Sequence, residues 1–128
     1  MTADSVAESS HTVLIIEDDA DIRETLYDTL KIVGYQVFTA ANGREGLDLV
    51  ASIAKPCVIF LDLMMPIMNG WEFARAIEGD PVLSAVPVVV VTAYADRIGS
   101  INAAGVLKKP FDLDQLLLTT QKWCGDPP

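Results

Sequence analysis

Cys57-Val58-Ile59-Phe60-Leu61 is an unbroken apolar run that ends on Asp62. A strand with one solvated face alternates apolar and polar side chains. A short run without alternation, closed by a polar residue, reads as a strand covered on both faces. Such a strand belongs at the centre of a parallel sheet with helices above and below it. The same kind of run recurs upstream, where Val13-Leu14-Ile15-Ile16 leads into Glu17, and downstream, where Val88-Val89-Val90-Val91 leads into Thr92. Two weaker strands complete the set. Residues 35–39 are shorter and more polar, as an edge strand would be, and residues 106–108 make a short fifth.

Helical patterns fill the gaps. Residues 20–33 place Ile22, Leu26, Leu30 and Val33 on one face, and Gly34 stands where a helix end needs a left-handed residue. Asn42 can cap a helix running to about residue 54, with Leu47, Val50, Ala51 and Ala54 facing inward. Pro66 and Asn69-Gly70 mark a loop, followed by a helix over residues 71–78 that stops at Gly79-Asp80-Pro81. Residues 96–103 make a short, weak helix, since Gly99, Ser100 and Asn102 are poor helix formers. Asp112 caps the last helix, with Gln115 three residues on and Leu113, Leu116, Leu117 and Thr120 at helical spacing. Five strands alternating with five helices predict an α/β fold, a doubly wound parallel sheet.

Composition bounds the function. The 128 residues suit one domain: a disordered leader over residues 1–10, a domain over 11–124 and a short tail over 125–128. A net charge of −9, from 18 acidic and 9 basic residues, disfavours binding to a nucleic-acid backbone. The apolar runs are too short for membrane insertion and the N-terminus lacks a secretory layout, so a cytoplasmic protein is expected. Cys57 and Cys124 lack metal-site or redox-motif spacing and are expected to be separate buried or half-buried thiols rather than a disulfide. His11, the one histidine, is expected to be solvated and without a role.

Doubly wound sheets carry their sites beyond the carboxyl ends of the strands. There the sequence places Glu17, Asp18 and Asp19 after the first strand, Asp62 after the third, Thr92 after the fourth and Lys109 after the fifth. Singly, each has a plain explanation: an Asp after a strand often caps the next helix, and Thr and Lys are ordinary at boundaries. Together they form a set suited to phosphoryl transfer. Clustered carboxylates attract a hard cation such as Mg²⁺. A carboxylate can act as nucleophile, and a lysine and a hydroxyl can stabilise charge on phosphoryl oxygens.

Four stretches carry a resemblance to the receiver domains of two-component response regulators. Val13-Leu14-Ile15-Ile16-Glu17-Asp18-Asp19-Ala20-Asp21-Ile22-Arg23 resembles their opening, and Leu61-Asp62-Leu63-Met64-Met65-Pro66-Ile67-Met68-Asn69-Gly70 their phosphorylation loop. Pro87 through Thr92-Ala93, with Lys108-Lys109-Pro110-Phe111, completes the match, which runs from about Thr12 to Trp123. The resemblance implies strand order 2-1-3-4-5 and a bacterial signalling role. Asp62 would accept phosphate from a histidine kinase or histidine phosphotransfer protein. Asp18 and Asp62 would bind Mg²⁺, with Glu17 through water and Met64 through its backbone carbonyl. Thr92 and Lys109 would hold the phosphoryl oxygens. It also implies a cis bond before Pro110.

Departures from the family pattern are few. Glu17 stands where Asp is commoner, and Val106 where many members carry an aromatic residue that swings inward. The segment between Thr92 and Lys109 is several residues short. Met64 and Tyr94, two residues beyond Asp62 and Thr92, are bulky and largely apolar, which predicts slow loss of phosphate from a shielded site. The chain closes at Gly125-Asp126-Pro127-Pro128 with no linker, so the expected output is contact with a downstream protein or onward phosphotransfer. It would catalyse only its own phosphorylation and dephosphorylation. An aspartate-nucleophile phosphatase would carry a second Asp at the position of Met64. A flavin or nucleotide binder would need a phosphate loop where Glu17-Asp18-Asp19 stand. A phosphate-independent binding module is the remaining alternative.

Overall fold

The computed structural model describes residues 11–127; the expected leader, residues 1–10, and the final residue lie outside the described residues. In chain order the elements are β1 (Thr12–Ile16), α1 (Ala20–Ile32), β2 (Gln36–Ala40), α2 (Gly43–Val50), β3 (Val58–Asp62), α3 (Gly70–Glu78), β4 (Val88–Thr92), β5 (Gly105–Lys108) and α4 (Leu113–Cys124). Short 3₁₀ turns occupy Leu83–Ala85 and Ala95–Arg97. All five strands pair in parallel, in the order β2-β1-β3-β4-β5. The strand without alternation is central: every residue of β3 is buried.

Period-two geometry divides the core in two. On one face Leu14, Ile16, Ile59, Leu61 and Val90 pack with Val50 of α2 and Phe73, Ala74 and Ile77 of α3. On the other, Val13, Ile15, Val58, Phe60 and Val91 pack with Leu26 and Leu30 of α1 and Leu116 of α4. Burying a side chain such as Phe60 or Phe73 stabilises the fold by roughly 1.5–3 kcal/mol. The helices start where local chemistry satisfies their free N–H groups. Asp19 caps α1 and Asn42 caps α2, while Asn69 with Glu72 and Asp112 with Gln115 form capping boxes on α3 and α4.

Four expectations are corrected. There are four α-helices among the described residues, because residues 96–103 form no helix beyond the 3₁₀ turn. Gly99 sits at φ 67°, and the carbonyls of Arg97 and Ile98 accept from the Trp71 indole N–H rather than from a helical turn. Helix α2 ends at Val50, leaving Ala51 and Ala54 exposed. Cys57 and Cys124 are joined as a disulfide. The return of α4 along the sheet brings them together across 67 residues of sequence, a distance at which spacing carries no signal. His11 is half-buried, with Nε2 3.0 Å from the Asp126 carbonyl oxygen.

Candidate functional site

Strand register sets the site. Ile16 aligns with Leu61 and Asp62 with Val91, so the residues that end β1, β3 and β4 emerge at one level of the sheet edge. Thr92 aligns with Lys108, which brings the next residue, Lys109, to the same edge. The Lys109 backbone N–H donates to the Thr92 carbonyl at 2.8 Å, and the Lys109–Pro110 bond is cis. Glu17, Asp18, Asp62, Met64, Thr92, Tyr94 and Lys109 line one cleft of about 310 Å³. A larger, apolar groove of about 460 Å³ lies beside it between α1 and the start of α4, and shares Lys109. The chemistry belongs to the smaller cleft, where the acids converge.

One carboxylate oxygen from each of Glu17, Asp18 and Asp62 lies within 4.8 Å of the others. Glu17 and Asp62 are buried, at 2% and 7% exposure, and Asp18 is exposed. Lys109 Nζ lies 3.0 Å from Glu17 Oε1 and 3.7 Å from Asp62 Oδ1. Burial, followed by the like charge of Glu17, pushes the Asp62 carboxyl up to about 8, against the pull of Lys109. Burial works against the charge on Lys109. The hydrogen bond and attraction from Glu17, with Asp62 and Asp18 behind it, outweigh burial and hold the ammonium above its ordinary value.

Neighbouring residues fix these groups. The Leu63 N–H donates to Asp62 Oδ1 at 2.9 Å. Thr92 is buried, and its Oγ1 accepts from the Tyr94 N–H at 2.9 Å, which leaves the hydroxyl proton free to donate elsewhere. Met64 and Tyr94 stand half exposed at the rim, at 52% and 50%. Gly70 explains the close return of the chain after the loop. A Cβ there would strike the Asp62 carbonyl oxygen and come within 2.8 Å of Leu63 Cα.

Every side chain read from the sequence as a site residue lies in this cleft; Asp19 lines it too, but its Oδ1 is taken up in capping α1. Sequence reasoning gave no role to Arg23. Its guanidinium donates to the Glu17 carbonyl at 2.8 Å and to the Asp18 carbonyl at 3.3 Å, bracing the acidic turn. The available signal was its place one helical turn beyond the acids. Trp71 was also passed over, because nothing in helical periodicity says that an indole will reach across to another loop.

The donor set fits a hard divalent cation: three oxygen ligands in reach of one another, two of them buried, with repulsion between them that Lys109 offsets in part. A family model described as the response regulator receiver domain matches residues 13–121. The chain is 33% identical over 121 residues to the transcriptional regulatory protein CrdR of Helicobacter pylori, covering 91% of this chain and 56% of that protein. It spans about half the length of the curated relatives it matches. Among solved structures it is similar to the chemotaxis response regulator CheY4 of Vibrio cholerae, with TM-score 0.79 and 34% identity over 87% of this chain and 96% of that one. It is also similar to response regulator TrrA of Thermotoga maritima, solved in complex with Mg²⁺–BeF, with TM-score 0.75 and 28% identity over 88% and 97% of the two chains.

Proposed function

Since the chain belongs to the response regulator receiver domain family, we propose that it is a cytoplasmic phosphoacceptor switch that takes a phosphoryl group onto Asp62 from a histidine kinase or histidine phosphotransfer protein. The observation that carries this reading is the convergence of Asp62 with Glu17, Asp18, Thr92 and Lys109 in one cleft. An Asp62 carboxylate oxygen attacks phosphorus while the donor's P–N bond breaks, and the donor imidazole keeps the electron pair. Bound Mg²⁺ would supply positive charge against the phosphoryl oxygens and hold Asp62 ionised. Asp18 and Asp62, with the Met64 carbonyl and Glu17 through water, are the groups that would hold it.

Lys109 must change partners. It leans on Glu17 at 3.0 Å and stands farther from Asp62, at 3.7 Å. When Glu17 is occupied elsewhere, the ammonium is free to turn toward an oxygen of the new phosphoryl group. The Thr92 hydroxyl donates to another, drawing the start of the following loop inward. That loop runs through Tyr94 and Arg97 to the Trp71 bonds, so a charge change at Asp62 reaches the segment after β4. Output then passes to a downstream protein or by onward phosphotransfer, and the chain catalyses no reaction beyond its own phosphorylation and dephosphorylation.

Beryllofluoride imitates a carboxylate-bound phosphoryl group. Its fluorine NMR signal should show one bound complex per chain, requiring both Mg²⁺ and Asp62. Binding that persists in chelator or in Asp62→Asn would overturn the reading.

A further inference from the structure

The edge of the sheet opposite the phosphorylation cleft carries a second chemically capable pair. Cys57 precedes β3 and Cys124 closes α4; they are bonded, with Cα atoms 5.2 Å apart. We propose that this pair is a reversible thiol–disulfide site, a redox clasp that takes a small disulfide of the glutathione class as its oxidant and fastens the end of α4 to the base of the central strand.

Two observations favour reversibility over a permanent staple. First, the fold accommodates the open form as well as the closed one. Cys57 Sγ lies 3.2 Å from the Thr12 carbonyl oxygen, an acceptor already in place for a free thiol. Cys124 is 4% exposed within the apolar cluster of Leu30, Tyr35, Val58 and Leu116, where a thiol packs as a small hydrophobic group. Second, Cys57 is half-buried where Cys124 is buried, so the Cys57 side is the one from which a small thiol can approach the bond. A further consideration rests on the reading under Proposed function: a phosphoacceptor fed by a kinase works where thiols are kept reduced, and disulfides there are transient or redox-sensing.

Closure is balanced by thiol–disulfide exchange. The Cys57 thiolate attacks one sulfur of glutathione disulfide, whose S–S bond breaks and releases one glutathione thiolate. The Cys124 thiolate then attacks the Cys57 sulfur, forming the Cys57–Cys124 bond and releasing the second glutathione. Two protein thiols lose two electrons and two protons, and one glutathione disulfide becomes two thiols. What the clasp holds is the chain leaving the domain. Immediately beyond Cys124, the Gly125 carbonyl accepts from the Tyr35 hydroxyl at 2.6 Å, and Asp126 meets His11 and Gln121. With the bond open, residues 121–126 keep these hydrogen bonds, the last turn of α4 and the apolar packing of Trp123 and Cys124, but lose the covalent tie to the central strand.

The test is equilibration of the purified full chain in glutathione buffers from reducing to oxidising. Trapped thiols are counted by intact mass, with melting temperature and amide exchange at residues 121–126 on the same samples. Two free thiols should give way to none without a stable mixed disulfide. Closure should raise the melting temperature by roughly 10 °C and slow exchange at the end of α4. Cys124→Ser should stop at a single glutathione adduct on Cys57 and lose the shift. Thiols that stay free throughout, a bond that resists reduction until the protein unfolds, or a shift retained in Cys124→Ser would each overturn the clasp. Acetyl phosphate labelling of Asp62, read in both redox states, separates the two claims. A thiol transition with no labelling removes the phosphoacceptor reading and leaves the clasp, and labelling without a transition does the reverse.

Discussion

Asp62 carries the sharpest conflict in the molecule. Its carboxyl is raised from 3.8 to about 8, so between those values the native state keeps a proton that the unfolded chain has released. Stability therefore falls as pH rises through this window; the contribution is fully present below about 4 and lost above about 8. In chelator, Asp62→Asn should melt with the wild type near pH 4 and several degrees above it near pH 8, a gain on the order of 1–2 kcal/mol. Melting curves of both proteins across that range check this, and a gap that widens toward acid would contradict it. Gly70→Ala acts through sterics instead, since the added Cβ meets backbone that cannot step aside. It should cost about 2–4 kcal/mol by denaturant midpoint and displace Asp62. At the rim, Met64→Asn and Tyr94→Ala should each hasten loss of phosphate from the phosphorylated protein by opening the path for water. Unchanged lifetimes would remove the shielding role.

At the scale of elements, the segment after β4 is where this chain departs from its expected pattern. Trp71 on α3 holds the Arg97 and Ile98 carbonyls at 3.1 and 3.2 Å, and Glu78 accepts from the Asn102 N–H at 3.3 Å. Trp71→Phe should keep the apolar packing and lose both bonds. About 1 kcal/mol of stability and faster amide exchange confined to residues 94–104 should follow. Uniform loosening of the whole chain would instead point to a core role. The strands and the other helices were legible because their signals are local: runs without alternation, 3.6-residue periodicity, and Asn42, Asn69 and Asp112 at the helix starts. Residues 96–103 carried a weak helical pattern, and the competing acceptor for their carbonyls lay on another element. Likewise Ala51 and Ala54 fit the period of α2, but the helix ends at Val50 and both lie exposed. Val106, 43% exposed on edge strand β5, stands where the family pattern commonly has an aromatic residue.

For the whole molecule, topology accounts for most of the site. A parallel sheet brings all strand ends to one edge, so acids at residue 17 and a lysine at residue 109 meet 3.0 Å apart. That much followed from reading which polar residues end which apolar runs. The pairing of Cys57 with Cys124 did not, because it depends on where α4 finishes against the sheet. The preference of Lys109 for Glu17 over Asp62 is a matter of tenths of an ångström, below anything that sequence spacing resolves. The central claim, that Asp62 is a metal-dependent phosphoacceptor, is tested most directly by incubating the full chain with acetyl phosphate and Mg²⁺ and recording intact mass beside an Asp62→Ala control. The account predicts one added phosphate on the wild type, absent from the variant and absent when Mg²⁺ is chelated. No addition, or equal labelling of Asp62→Ala, would contradict it.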